Sequence, residues 1–359
     1  MVKPQPSEMA SYRQYIRRKW LVLLVMIVLT VVASLASLMA GSAGLTLEEV
    51  VCAVFGHGTK ETSAIVWNVR MPRIAAALAV GMALAMCGCI MQNVLRNPLA
   101  SASTLGVSQG ASFGAAVSII YLGAGTQVNT GSGSVASLTI THPAMVTFCA
   151  FLGGVATTVV ILALSRLRGV TPSVMVLAGV AISSMFSGGT TLVQYFADDV
   201  MVATVVHWTF GNLGRAGWVE ISLIAELSLI AFIFFYCNRW NYNAMESGIH
   251  TAKSLGVPVD FLIPASMVMC ALISSVSVAF VGCINFIGLI APHIMRRFVG
   301  NDFRFLIPCT ALGGAVLMLA ADIACRMLVT PVVLPIGALT SFLGAPLFLW
   351  LIMRRERVK

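Results

Sequence analysis

The most conspicuous shortage in this chain is of charged side chains. Only 10% of its 359 residues are Asp, Glu, Lys or Arg, whereas 58% are hydrophobic, and the mean hydropathy is +0.94. Soluble domains carry about 25% charged residues and about 45–50% apolar ones. The composition therefore excludes a soluble globular protein and indicates an integral membrane protein. The short alternating strands of a β-barrel are also absent from the sequence.

Acidic residues are scarcer than basic ones, at 13 against 22, so the net charge is +9. The basic residues follow the positive-inside rule, and we therefore expect a membrane as the partner and no nucleic acid. With an even number of spans and a cytoplasmic N-terminus, most Lys and Arg residues fall on the cytoplasmic side. The exceptions on the predicted outer side are Lys60, Arg70, Arg73, Arg215 and Arg326.

Motifs for catalysis and for cofactor binding are missing as well. No segment fits G-x-x-x-x-G-K-[ST], because Ala252-Lys253-Ser254 lacks the glycine before the lysine. If transport uses ATP, another subunit must hydrolyse it. No nucleophile motif or metal-ligand spacing occurs, and the nine cysteines lie scattered in apolar runs. We therefore predict no catalytic residue, no metal site and no cofactor in this chain, which is not expected to be an enzyme.

What the chain has in abundance is long apolar runs, and a run of about 20 residues crosses a bilayer as a helix. The sequence predicts an all-α integral membrane protein whose single transmembrane domain spans residues 1–359. Ten predicted spans cover residues 20–40, 74–95, 106–123, 143–164, 173–196, 218–237, 261–282, 285–298, 306–325 and 336–353. The first run is too long for a signal peptide, so we expect it to be retained.

Three segments connect the spans in ways that bear on function. Residues 1–19 form a predicted cytoplasmic N-terminal segment, and residues 125–142 form a mobile outer loop rich in Gly, Ser and Thr. Residues 238–260 form the longest inner loop, which has the length of a short helix pair at the membrane surface.

Polar residues at membrane depth mark candidate functional positions, because they persist where they line a pathway or meet a partner. Arg70 and Arg73 flank one end of the second span. Asp322 and Arg326, four residues apart, share a helix face and fit either an intrahelical pair or part of an outer cluster of guanidinium groups that binds carboxylates. Glu226 lies within the sixth span and is weak support for proton-coupled transport.

Segments along nearly the whole chain resemble one family, the permease subunits of the ABC importers for iron–siderophore complexes, haem and vitamin B12 (type II importers, of FecCD type). The segments that carry this resemblance are R70-M-P-R73, M91-Q-N-V-L-R-N-P-L-A100, L105-G-V-S-Q-G-A111, A252-K-S-L-G-V257, F286-I-G-L-I-A-P-H-I-M-R296, A320-A-D-I-A-C-R326 and L334-P-I-G-A-L-T-S-F-L-G-A-P-L-F348. The loop at 125–142 departs from the pattern and looks like an insertion.

The resemblance implies the type II ABC importer permease fold, with about ten transmembrane helices. It also implies a second permease subunit (a homodimer), two cytoplasmic ATPase subunits that hold ATP and Mg, and an extracytoplasmic binding protein. Arg70, Arg73 and Arg326 match the positions that meet glutamates of the binding protein. The residues that match the ATPase-coupling segment are Gly248, Ala252, Leu255 and Gly256.

The expected function is therefore the import of a ferric siderophore or a similar metal chelate, with cobalamin or haem as alternative cargoes. The expected location is a prokaryotic cell (inner) membrane, with both termini in the cytoplasm. An ion-coupled secondary transporter remains the alternative from another class.

Overall fold

The computed structural model describes residues 6–41, 46–128, 137–165, 172–330 and 332–356, and most of them are helical. In these ranges fifteen α-helices follow one another: α1 (Pro6–Met39), α2 (Leu47–Val54), α3 (Lys60–Ile65), α4 (Met71–Val94), α5 (Val107–Ile120), α6 (Pro143–Ser165), α7 (Pro172–Tyr195), α8 (Asp199–Thr209), α9 (Trp218–Cys237), α10 (Arg239–Glu246), α11 (Ile249–Ser254), α12 (Val259–Val281), α13 (Ile287–Val299), α14 (Phe303–Met327) and α15 (Ile336–Glu356). A π-helical turn, Val66–Arg70, leads into α4, and a 3₁₀ turn, Leu213–Arg215, precedes α9.

Each of the ten predicted spans corresponds to a helix: α1, α4, α5, α6, α7, α9, α12, α13, α14 and α15. Seven helical stretches of the described chain are long and apolar enough to cross a membrane, and α5 and α15 supply shorter apolar helices. Helix α13 has only 13 residues and carries Arg296 and Arg297 in its last turn. The prediction of an all-α membrane fold is confirmed, and the chain is a multi-pass membrane protein.

Helix α4 lies at the centre of the bundle, packed against α9, α12, α13 and α14. Its middle is built from Ala and Gly, and Pro72 occupies its first turn, where proline needs no N–H partner. At the crossing with α14, a Cβ atom on Gly314 would overlap the carbonyl oxygen of Gly81. Small residues let membrane helices approach until their backbones touch. Glycine is therefore required where α4 and α14 cross.

Two connecting segments differ from their predictions. Helix α1 begins at Pro6 and runs without a break into the first span, so most of the predicted segment 1–19 is part of a helix. Residues 125–142 were predicted as a loop, but strands β1 (Gly125–Val128) and β2 (Ser137–Ile140) form an antiparallel pair there, with Gly125 opposite Ile140. The prediction underrated the strand preference of Leu, Thr and Ile in β2. Residues 129–136 lie outside the described ranges.

The predicted helix pair in residues 238–260 is confirmed as α10 and α11. Gly248 (φ 123°) precedes α11 and Gly256 (φ 82°) follows it, both in the left-handed region that favours glycine. These two glycines therefore fix where the short helix α11 begins and ends.

Candidate functional site

Three arginines and one aspartate meet at the end of the bundle where α4 begins and α14 ends, which we call the Arg70 end. This arginine cluster consists of Arg70, Arg73, Asp322 and Arg326. Because α4 and α14 are antiparallel, the first turn of one lies beside the last turns of the other. Arg73 Nε donates to Asp322 Oδ1 at 2.6 Å, and Arg326 Nη2 lies 2.9 Å from Asp322 Oδ2. The fully buried Asp322 carboxylate therefore pairs with two arginines.

The arginine cluster also holds the C-terminal end of α1. Arg70 Nη1 donates to the Leu38 carbonyl at 2.7 Å, and Arg326 donates to Ser37 Oγ at 2.6 Å and to the Ala40 carbonyl. The last carbonyls of a helix have no intrahelical partner, and they carry the negative end of its dipole. Cations at this position therefore satisfy these carbonyls and attach α1 to α4 and α14.

The structure brings the predicted docking arginines together but does not leave them open to solvent in the single chain. Arg70 is 5% exposed, and the side chains of Arg73 and Arg326 are 13% and 9% exposed. The intrahelical Asp322–Arg326 pair expected from the spacing is present, and Arg73 shares its aspartate. Contact of these arginines with a binding protein stays a prediction. It requires either that the cluster opens or that the binding protein contacts the small exposed parts of the arginine side chains.

A polar network lies at the opposite end of α4, which we call the Arg96 end. Arg296 Nη1 donates to Gln92 Oε1 at 2.6 Å. Asn93 Nδ2 donates to Glu246 Oε2 at 3.1 Å, and Asn301 Nδ2 donates to Glu246 Oε1 at 2.6 Å. These side chains border a polar cavity of about 210 Å³. Glu246, the last residue of α10, thus ties the predicted coupling segment to α4 and to the turn before α14.

Asp302 is a second junction at the Arg96 end. It accepts from Lys19 at 3.3 Å, from the guanidinium of Arg304 at 2.7 Å and from Asn243 of α10 at 3.3 Å. Desolvation by itself raises the pKa of Asp302, but the hydrogen bonds from Arg304 and the charge of Lys19 outweigh it and lower the pKa to about 2. Lys19 is only 2% exposed, and its ammonium lies 4.1 Å from the centre of the Tyr15 ring. Helices α1, α10 and α14 are therefore joined at one carboxylate.

The four predicted coupling residues have different environments. Leu255 is 68% exposed, and a Cβ atom placed on the neighbouring Gly256 would meet no other atom within 4 Å. Ala252 is fully buried against the rest of the fold, so its side chain cannot itself touch another subunit. Gly248 sets the start of α11. Among the four residues, Leu255 and Gly256 are exposed and Gly248 is half-buried, so the Leu255–Gly256 turn is the most accessible part of the predicted coupling surface.

Sequence reasoning missed Lys19, Glu246 and Asp302. One signal was available for Asp302, because an aspartate immediately before an apolar helical run is a preferred N-cap, and here it accepts from the backbone N–H of Arg304. The other two depend on contacts with distant parts of the chain. His293 is buried, and its ring packs edge-on against the Phe348 ring with the centres 6.0 Å apart.

Candidate sites of other classes find little support in the described ranges. There, no three His, Cys, Asp or Glu side chains lie close enough together to hold a metal ion. Glu226 lies on an exposed face of α9 rather than in an interior cavity. A carboxylate that couples transport to ions is expected to line the pathway.

Comparisons with known proteins agree with this architecture. Residues 28–354 match the model of the FecCD transport family. The chain is 48% identical over 344 residues to a protein of Methanocaldococcus jannaschii that carries the name ABC transporter permease protein, covering 96% of this chain and 97% of that one. It is 35% identical over 321 residues to the hemin transport system permease of Yersinia pestis (89% and 92% covered) and 35% identical over 292 residues to the vitamin B12 import permease of Citrobacter koseri (81% and 84% covered).

A solved structure described as an inward-facing conformation of a metal-chelate type ABC transporter superposes with a TM-score of 0.79. The two sequences are 28% identical, and the superposition covers 93% of this chain and 99% of the chain in that structure. The relatives thus come from transporters named for three different cargoes.

Proposed function

Since the chain belongs to the FecCD transport family, a family of ABC transporter permeases, we propose that it is the membrane subunit of an ATP-driven importer for a ferric siderophore or a similar metal chelate. In this proposal an extracytoplasmic binding protein delivers the cargo. A second copy of the chain completes the pathway, and two cytoplasmic ATPase subunits drive it. Haem and cobalamin are the alternative cargoes, because relatives at 35% identity are named for them.

The observation that carries the proposal is the family match over residues 28–354 of a chain without a phosphate-binding loop. Energy must then enter through a surface that another subunit can reach. The Leu255–Gly256 turn supports this proposal, because a leucine that is 68% exposed beside a glycine fits a shallow apolar socket. Glu246 and Asp302 support it too, since they provide rigid connections from α10 to α4, α1 and α14.

We propose that the arginine cluster forms part of the surface for the binding protein. Arginine pairs bidentately with carboxylates, so acidic residues of a binding protein would compete with Asp322 and with the end of α1 for the same guanidinium groups. Such competition would transmit docking directly to α1, α4 and α14. The same proposal includes the predicted membrane topology, in which both termini lie in the cytoplasm.

The central test reconstitutes the chain into proteoliposomes with an ATPase subunit and an extracytoplasmic binding protein from the same organism. We expect uptake of one labelled cargo (a ferric siderophore, haem or cobalamin) that requires ATP inside the vesicle with the ATPase present. The ion-coupled alternative predicts uptake by the chain alone along an ion gradient. Gradient-driven uptake without the ATPase would therefore refute the proposal.

A variant pair tests the coupling surface. Leu255→Asp should abolish co-purification of the ATPase, because it places a charge on the exposed apolar contact. The matched control is Phe55→Asp, which changes a residue that is 74% exposed near the Arg70 end. The control should leave ATPase binding unchanged. Equal ATPase recovery with both variants would move the contact to another surface.

A further inference from the structure

A lateral cleft at the Arg70 end plays no part in the proposed transport machinery. It has a volume of about 710 Å³ and lies between the first turns of α6 and α9, each of which packs against α12. Its walls and floor are mostly apolar and include Phe148, Phe151, Leu223, Val276 and Phe280. Both α6 and α9 are long and apolar enough to cross a membrane. The lining residues Phe148 and Leu223 are exposed, so the cleft opens on the lateral surface of the single chain.

The cleft has the depth and polarity of a site for an amphiphile. Along α6 its lining runs from Pro143 to Phe151, which at 1.5 Å per residue is a depth of about 12 Å. Arg215 precedes α9 and Glu220 lies in its first turn, so both are at the mouth. The lining on α6 and α12 is apolar apart from Thr147. The mouth can therefore hold a polar headgroup while the deeper part holds a hydrocarbon chain.

The two charges at the mouth are not neutralised by each other. The ion pairs of the described residues include neither Arg215 nor Glu220. The guanidinium carbon of Arg215 lies 5.8 Å from the centre of the buried Trp208 ring, which carries no charge. Glu220 lies in the first turn of α9, where the helix dipole favours a carboxylate. A cation and an anion above an apolar cleft complement a headgroup that carries both charges.

We propose that this cleft binds a phospholipid with a primary ammonium headgroup, of the phosphatidylethanolamine type. The lipid phosphate binds Arg215, the ammonium donates to Glu220, and one acyl chain occupies the space between α6 and α9. Phosphatidylglycerol has no cation for Glu220, and the quaternary ammonium of phosphatidylcholine has no N–H to donate. The proposal also explains why Arg215 is tolerated on the predicted outer side, where the positive-inside rule disfavours arginine.

The test is native mass spectrometry of the purified full-length chain, stripped of lipid and titrated with phosphatidylethanolamine, phosphatidylglycerol or phosphatidylcholine of identical acyl chains. We expect phosphatidylethanolamine to bind about 1.5- to fivefold more tightly than the other two, which is the range that exposed ion pairs contribute. The Glu220→Gln variant should bind phosphatidylethanolamine and phosphatidylglycerol equally well. Arg215→Ala should weaken all three lipids, and Ala279→Trp, which fills the cleft, should weaken them whatever the headgroup.

Lys60→Ala and Glu61→Gln are the matched controls, because both residues are exposed on α3 near the Arg70 end and neither lines the cleft. Their lipid preferences should equal that of the unmodified chain. Equal binding of the three lipids, or the same loss of preference in the control variants, would overturn the proposal. The ratio of the affinities for two lipids is measured within each variant. The Glu220→Gln result therefore tests the proposal even if Arg215→Ala fails to fold.

Discussion

Replacing Asp322 by Asn tests whether this one carboxylate organises the arginine cluster. The substitution keeps the size of the side chain and one carbonyl acceptor but removes the negative charge. Asp322 is fully buried, and it neutralises Arg73 at 2.6 Å and Arg326 at 2.9 Å. The variant therefore leaves three neighbouring cations, Arg70 included, with no carboxylate between them.

The expected cost follows from the burial of this group. Removing one partner of a buried ion pair destabilises proteins by about 3–5 kcal/mol, because the other charge stays desolvated and unpaired. The matched control is Asp260→Asn, since Asp260 is also paired, at 2.8 Å from Lys253, but is 86% exposed. Exposed pairs contribute about 0.2–1 kcal/mol. In the unmodified chain both aspartates form ion pairs, but Asp322 is buried and Asp260 is exposed.

The assay is the thermal unfolding of the purified variants in one detergent, followed by near-ultraviolet circular dichroism. At about 2.1 cal/mol/K of unfolding entropy per residue, a chain of 359 residues shifts by about 1.3 °C per kcal/mol. Asp322→Asn should therefore lower the midpoint by about 4–7 °C, and Asp260→Asn by no more than about 1.5 °C. If Asp322→Asn lowers the midpoint no further than Asp260→Asn does, then the arginines are held by the end of α1 and the carboxylate is not their organising group.

Three further predictions concern single positions. Gly314→Ala should lower the free energy of unfolding by about 1–3 kcal/mol, because the new methyl group overlaps the backbone of α4. The control is Gly313→Ala, whose new methyl group would lie 3.3 Å from the flexible Met295 side chain. It should lower the free energy of unfolding by less in the same assay. The pKa of Asp302, about 2, lies below the value near 3.9 of an unfolded aspartate, so its contribution to stability is complete above about pH 4 and is lost as the pH falls through 2. In acid titrations of stability, the Asp302→Asn variant should not show this loss between about pH 4 and 2. The same dependence of stability on pH in the variant and the unmodified chain would contradict the prediction. Arg73→Glu should reduce membrane yield as well as pull-down of the binding protein, because it places two carboxylates together; normal yield with lost pull-down would instead indicate a purely external role.

The helices of this protein were largely predictable from its sequence. The thickness of the bilayer sets how long an apolar run must be, so the ten runs correspond to ten helices. The Asp322–Arg326 pair was predictable too, because residues four apart share a helix face. The short helices α2, α3 and α8 and the β1–β2 hairpin were not predicted, because their apolar patterns are brief and they gain their stability from packing on the bundle.

The function class was also readable from the sequence, since a membrane chain without a phosphate-binding loop, with family motifs in order along its length, belongs among the transport permeases. The depth at which its charges lie was decided only by the tertiary structure. Arg73 reaches Asp322 across 249 positions, and Lys19 reaches Asp302 across 283. Hydropathy reports that a segment is a helix but not which way each face turns toward its neighbours. That rotation made the predicted outward arginines a largely buried cluster, and it left Arg215 and Glu220 outside the ion pairs of the described residues, at the mouth of a mostly apolar cleft.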